Sequence, residues 1–312
     1  MANGGQALVD RLSERISILV PANLQRMIVL EDLDAEMIID QRMARLKQLW
    51  SEYDPPAAAQ YDVEILEFDP IKINQEVCTY FELLLRDRVN QAARSITLAY
   101  AIGTDLDAIA SRYPGGVPRL PNESDDRYRR RIWLSPNTLS PHGTAEAYEF
   151  WALTAEPLLR DVTAIRSVMH DYYPTILITC LLGPESESPS PTQEQLVRIR
   201  AYISSLSRQG LTDVISVNPP KIRETAYKLN VYLFPGTSPD QALAKIKVNL
   251  EKLVLDQYWL GHDHTHTAIH ASCAFSGVHH VEIVEPFTDI LIPADWVVKV
   301  TDIQLFLAGR MV

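Results

Sequence analysis

Catalytic signatures are missing from this chain. It has no GxSxG elbow, no phosphate-binding GxxxxGK[ST] loop, no GxGxxG and no CxxC, and that moves expectation away from the enzyme classes that carry them. Cysteine is scarce. Cys78, Cys180 and Cys273 are odd in number and far apart, which fits neither a disulfide framework nor a zinc knuckle; buried, reduced thiols are expected. Positive charge is short as well. The net charge is −11, which disfavours free nucleic acid and anionic membrane surfaces as partners. No apolar run approaches the roughly 18 residues of a membrane span, residues 16–20 being the nearest. Asp10 and Glu14 precede any apolar run, so the N-terminus does not read as a signal peptide, and a chain made and used on the cytoplasmic side is expected.

What is present is enough chain for roughly two domains at about 150 residues each and an ordinary apolar content for a globular protein. The most informative stretch is residues 81–132. It begins FELLLRDRVNQAARSITLAYAIGTDLDAIASRY and, after a Pro/Gly-rich break, continues ESDDRYRRRI. Val77, Phe81, Leu84, Leu85, Val89, Ala92, Ile96 and Tyr100 recur at three- and four-residue steps, which predicts one amphipathic helix over residues 74–102. Arg86, Asp87, Asn90, Gln91 and Arg94 fall mostly on its other face, and Ala92, Ala93 and Ala99 allow close helix approach. Gly103 suits the left-handed stop of that helix, and Thr104 with Asp107 suits the cap of the next. Ser124 is placed to cap a further helix. The pattern is that of a module that packs helices against another chain, with Phe81, Leu85, Val89, Ala92, Ile96, Tyr100 and Arg130 as candidate interface residues.

The expected fold class is α+β: an N-terminal helical region of bundle-forming amphipathic helices followed by two small α+β modules in series. The boundaries read as an N-terminal arm and helix over 1–74, a helical domain over 75–155, a first α+β module over 156–220 and a C-terminal module over 221–312. In the arm, Met37, Ile38, Met43, Leu46 and Trp50 form a helical pattern ended at Asp54, Pro55 and Pro56, with an extended stretch to Pro70. After a helix over 145–154 come two hairpin strands, a helix opened by Thr192 and Gln195, and a third strand over 213–217. A similar series follows: a strand over 225–234, a helix started by Ser238 and Pro239, a short helix near Ile269, and strands over 278–284, 296–300 and 303–307.

Two clusters have chemical readings. His262, His264, His266, His270, His279 and His280 would allow metal chelation if the first three shared a strand face, the basis of an alternative reading as a metal-dependent hydrolase. The competing reading is a polar loop entering a helix capped by Thr265 or Thr267, with no metal and no cofactor. Arg127, Arg129, Arg130 and Arg131 read either as a phosphate contact, or as a solvated helix face paired with Glu123, Asp125 and Asp126, or as inter-subunit salt bridges. Aromatic residues such as Tyr148, Phe150, Trp151 and Trp296 suit core or interface anchors better than a pocket.

Four segments in order carry a family resemblance: residues 80–113, residues 123–136 (ESDDRYRRRIWLSP), residues 142–165 (HGTAEAYEFWALTAEPLLRDVTAI) and residues 260–290 (LGHDHTHTAIHASCAFSGVHHVEIVEPFTDI). The first resembles the "A-x-G-x-x-L-D-x-L-A" turn, and the second the "E-S-D-D-x-[FY]-R-x-R-I" element, of the J-like baseplate proteins of contractile phage tails and related injection systems. Histidine replaces commoner residues at several places in the fourth. The resemblance implies a non-catalytic wedge subunit in the baseplate of a virion tail, made in the host bacterial cytoplasm. Its implied partners are a second copy of itself, a tail-protein-I-like wedge subunit, a lysozyme-like wedge protein, the central hub and spike, and neighbouring wedges, with no direct nucleic acid or membrane contact. It also implies a ring that changes shape on host contact and releases sheath contraction.

Overall fold

The computed structural model describes residues 30–61, 69–113, 115–140, 143–167, 175–205, 208–210 and 212–310. These fall into two compact units, residues 30–109 and residues 110–310. The apolar run at 16–20, the acidic residues before it and the extended stretch expected up to Pro70 lie outside the described residues, apart from 55–61 and 69–70 of that stretch. Among the described residues no helix is long and apolar enough to cross a membrane.

The first unit is helical. Helix α1 (Ala35–Tyr53) starts where the Asp34 carboxylate accepts from the amides of Glu36 and Met37. Asp54 closes it and also accepts from Ala57 N at 3.2 Å, opening helix α2 (Pro55–Gln60). The two prolines therefore start a helix rather than an extended stretch, because the first turn has no use for the amides they lack. Helix α3 (Pro70–Ser95) is capped by Asp69. It stops seven residues short of the expected Ile102. The hydroxyls of Ser95 and Thr97 donate to the carbonyls of Ala92 and Arg94 at 2.9 Å each, drawing the chain into a turn. Gly103, with φ of 53°, is thus not the stop of the long helix; it is the first residue of helix α4 (Gly103–Ala110).

In the second unit, helix α5 (Asp125–Leu134) has Ser124 as its cap, and a 3₁₀ turn (Ser135–Leu139) follows. Helix α6 (Ala145–Ala155) is capped by Thr144. Gly143 just before it has φ of 59°, and a Cβ there would come within 2.7 Å of the Tyr148 hydroxyl. Strands β1 (Leu159–Ser167) and β2 (Thr175–Leu182) form the expected antiparallel pair, and β2 lies parallel to β3 (Val214–Asn218) after helix α7 (Gln193–Ile203). Thr192 and Gln195 make the full capping box. The core under this sheet includes Tyr148, Trp151, Leu153, Ile178, Ile199 and Ile203.

The C-terminal module contains strand β4 (Lys221–Leu233), helix α8 (Pro239–Asp256), helix α9 (His266–Cys273), strand β5 (Val278–Glu285) and strand β6 (Trp296–Arg310). The sheet order is β5-β4-β6, with β4 antiparallel to β5 and parallel to β6. Alternate residues Tyr227, Leu229, Val231 and Leu233 face the core, against Ile246 and Leu250 of α8 and Ile269 of α9. Both sheets are three-stranded and mixed, but the expected shared order of elements does not hold: the central strand is second in the chain in one module and first in the other. The two last strands expected at 296–300 and 303–307 are one strand, and its register shifts between Val300 and Asp302. That bulge is what breaks the alternation in the sequence.

Candidate subunit interface

Helix α3 faces the opposite way from the usual rule. Its polar residues meet α1 and the segment before it. Glu82 takes Arg42 at 2.6 Å and Arg86 at 2.7 Å, and Arg86 also reaches Glu31 at 2.6 Å. The Asn90 side chain is buried; it accepts from Glu31 N at 3.1 Å and donates to Glu31 O at 3.0 Å. Asn90 and the partly exposed Arg86, which periodicity puts on the face opposite the apolar stripe, make these contacts. The apolar stripe is left outside: Phe81 is 58%, Leu85 70% and Val89 61% exposed. Burying one such side chain is worth about 1.5–3 kcal/mol, so a contiguous row left in water makes this face the candidate interface.

The candidate interface residues do not all lie together. Phe81, Leu85, Val89 and Ala92 share the exposed face of α3. Ile96, 66% exposed, is the residue that closes the helix, and Tyr100 lies in the turn beyond it, half-buried. Val77 and Leu84 extend the same face, and so do two residues the stripe reading passed over, Ile73 and Tyr80. Tyr80 packs edge-on to Phe81, with ring centroids 5.5 Å apart. Its place beside Phe81 in the sequence is the signal that could have found it.

Arg130 lies elsewhere, on α5, and the whole arginine run is inside the protein. Arg131, 1% exposed, donates to Glu123 at 2.8 and 3.1 Å, to Pro118 O at 2.6 Å and to Thr154 Oγ1 at 3.1 Å. Arg127 pairs with the same Glu123 and donates to the carbonyls of Leu153, Glu156 and Leu159. Burial pulls the Arg127 pKa below its ordinary value, and Glu123 opposes that shift. Arg130 pairs with Asp161 at 2.5 Å. Arg129 pairs with Asp126 at 2.6 Å. The acidic partners expected for the run are thus partly right, but the solvated face is not: each arginine side chain is at most 15% exposed. Spacing alone cannot report this, because a basic run reads the same in water and in a core.

The histidines do not assemble. Residues 262–265 are a loop leading into α9 and His266 is the first residue of that helix, so His262, His264 and His266 share no strand face. His264 is fully buried, with its Nδ1 2.5 Å from the Tyr227 hydroxyl. Burial, helped by His262, pulls its pKa down to about 4. His266 Nε2 contacts Pro286 O at 2.8 Å. His279 and His280 are exposed against Phe234 and Tyr232. Thr265 is the cap of α9. Among the described residues no three His, Cys, Asp or Glu side chains are placed to hold a metal ion, so the metal-dependent hydrolase reading has no support.

Comparison with known proteins bears on the same segments. The family model for the baseplate J-like N-terminal domain matches residues 67–124. Baseplate protein J of Escherichia phage P2 is 30% identical over 277 residues, spanning 85% of this chain and 89% of that protein. The six-fold symmetrised cryo-EM structure of the anti-feeding prophage baseplate contains a chain that overlaps 60% of this one at 13% identity. The overlap covers 43% of that chain with a TM-score of 0.37, too loose to define a shared fold.

Proposed function

This chain belongs to the baseplate J-like family, and from that premise we propose that it is a structural wedge subunit in the baseplate of a contractile viral tail. In this reading it joins a second copy of itself and a tail-protein-I-like subunit to make a wedge. Wedges ring the central hub and spike, and a lysozyme-like wedge protein links them to the sheath. Rearrangement of the ring releases contraction. Its place of action is the virion tail, after synthesis in the bacterial cytoplasm.

The observation that carries this reading is the exposed apolar row of α3, with Phe81, Leu85, Val89 and Ala92 on one helical face. A catalytic protein hides such a row in its own core or uses it to line a pocket. A subunit that completes a helical bundle with another chain leaves it open until assembly. Contacts of that kind close into rings when they join unlike faces of successive subunits, and a triggered ring needs interfaces with two packings.

The test is co-expression with the neighbouring tail proteins. The wild-type chain is expected in a mixed complex and in particles. Val89→Asp, which puts a charge into the row, is expected to remain folded by circular dichroism yet be absent from both. Normal incorporation of the folded Val89→Asp chain would overturn the assignment of α3.

A further inference from the structure

The arginine run of α5 has a role beyond its own module. Asp161, on β1, is 2% exposed. Its Oδ1 takes Arg130 at 2.5 Å and accepts from Val162 N at 2.8 Å, while its Oδ2 accepts from Leu260 N at 2.9 Å. Leu260 belongs to the C-terminal module. One buried carboxylate therefore holds α5, β1 and the turn after α8 at once. Its position is set by an irregularity in β1, whose pairing shifts between Leu159 and Asp161; a bulge re-aims the side chain that follows it.

Three further contacts converge on the same junction. Arg160 donates to Tyr258 O and Leu255 O, both at 3.0 Å, which caps the carbonyl end of α8 with a cation from the other module. Two guanidinium groups approach the Trp259 ring, Arg160 at 4.4 Å and Arg130 at 5.6 Å from its centroid. Thr163 Oγ1 donates to Ala294 O at 3.0 Å. Under these polar contacts, Leu181 of the first module packs with Tyr258, Leu260 and Val297 of the second.

We infer that Asp161, set by Arg130, is a positioning residue that locks the two α+β modules into one body, so that residues 110–310 move as a unit. A flexible link would connect the modules through exposed chain and a wet, mobile contact. Here the apolar part of the contact is buried, and the Asp161 carboxylate is ion-paired with both oxygens hydrogen-bonded, the condition under which buried polar groups fix one geometry. The inference does not rest on the wedge reading, since it concerns the geometry of a single chain.

The experiment measures the distance between spin labels on the full chain, at Val197→Cys on α7 and Val248→Cys on α8, both exposed. Cys78→Ser is added, because Cys180 and Cys273 are buried. The parent should give one narrow distance distribution, and Asp161→Ala a broad one at retained secondary structure. A broad parent distribution, or a narrow one in folded Asp161→Ala, would overturn the inference. If Asp161→Ala does not fold, Arg160→Ala combined with Trp259→Ala is read by the same criterion. Asp161→Asn keeps an acceptor for the Leu260 amide but loses the charge, and it should broaden the distribution less than Asp161→Ala.

Discussion

Val89 and Glu123 respond to substitution in opposite ways because one stands in water and the other does not. Val89→Asp should shift folding stability by no more than about 0.5 kcal/mol, as surface changes do, while abolishing assembly. Glu123 is the shared anion of Arg127 and Arg131, with its side chain wholly buried. Glu123→Ala leaves two buried cations with no opposite charge in contact, and it should cost about 3–5 kcal/mol, read as a fall in the urea midpoint. His264 supplies a pH dependence. Its pKa is about 4 when folded against an ordinary 6.5, so between those values the unfolded chain binds more protons. The stability it contributes is complete above about pH 6.5 and falls as pH drops towards 4. The slope of unfolding free energy across that window should flatten in His264→Gln, and an unchanged slope would exclude this histidine as its source.

Elements differed in how plainly the sequence announced them. Capping carried the most information: Ser124, Thr192 with Gln195, and Ser238 with Pro239 each mark a helix start where the structure has one. Thr192→Ala should lower stability by about 1 kcal/mol through loss of the capping box, measurable by thermal melting. Helix ends were less legible. The stop of α3 depends on the Ser95 and Thr97 hydroxyls turning back on backbone carbonyls, a local competition that an apolar period running on through Ile96 and Tyr100 conceals. The facing of α3 was legible only in part. Periodicity located the apolar row, but that Asn90 and Arg86 would be the inward contacts depended on Glu31 and Glu82 being there to receive them. The arginines of α5 were invisible as interior groups for the same reason, since Asp161 and most of the carbonyls they satisfy come from 26 to 32 residues later in the chain.

At the scale of the whole molecule, the residue pattern indicated an α+β chain with two modules at its C-terminal end, and the two mixed sheets agree with it. The helical unit carries an exposed apolar row, and the other unit carries a pair of modules tied by buried polar contacts. The purified protein should therefore associate with itself as concentration rises, by way of the α3 row. Sedimentation velocity should show the wild type shifting to larger species while Val89→Asp stays at the monomer value. A monomeric wild type across the same range would mean that the row is satisfied by other means.

Strand β6 forms one margin of its sheet and interrupts its own pairing twice, between Val300 and Asp302 and again between Leu307 and Gly309. A long straight margin would be an invitation to every identical neighbour in a crowded particle to zip on, backbone to backbone. The two kinks spoil that template. Copies brought close together can thus stay separate instead of fusing into fibre.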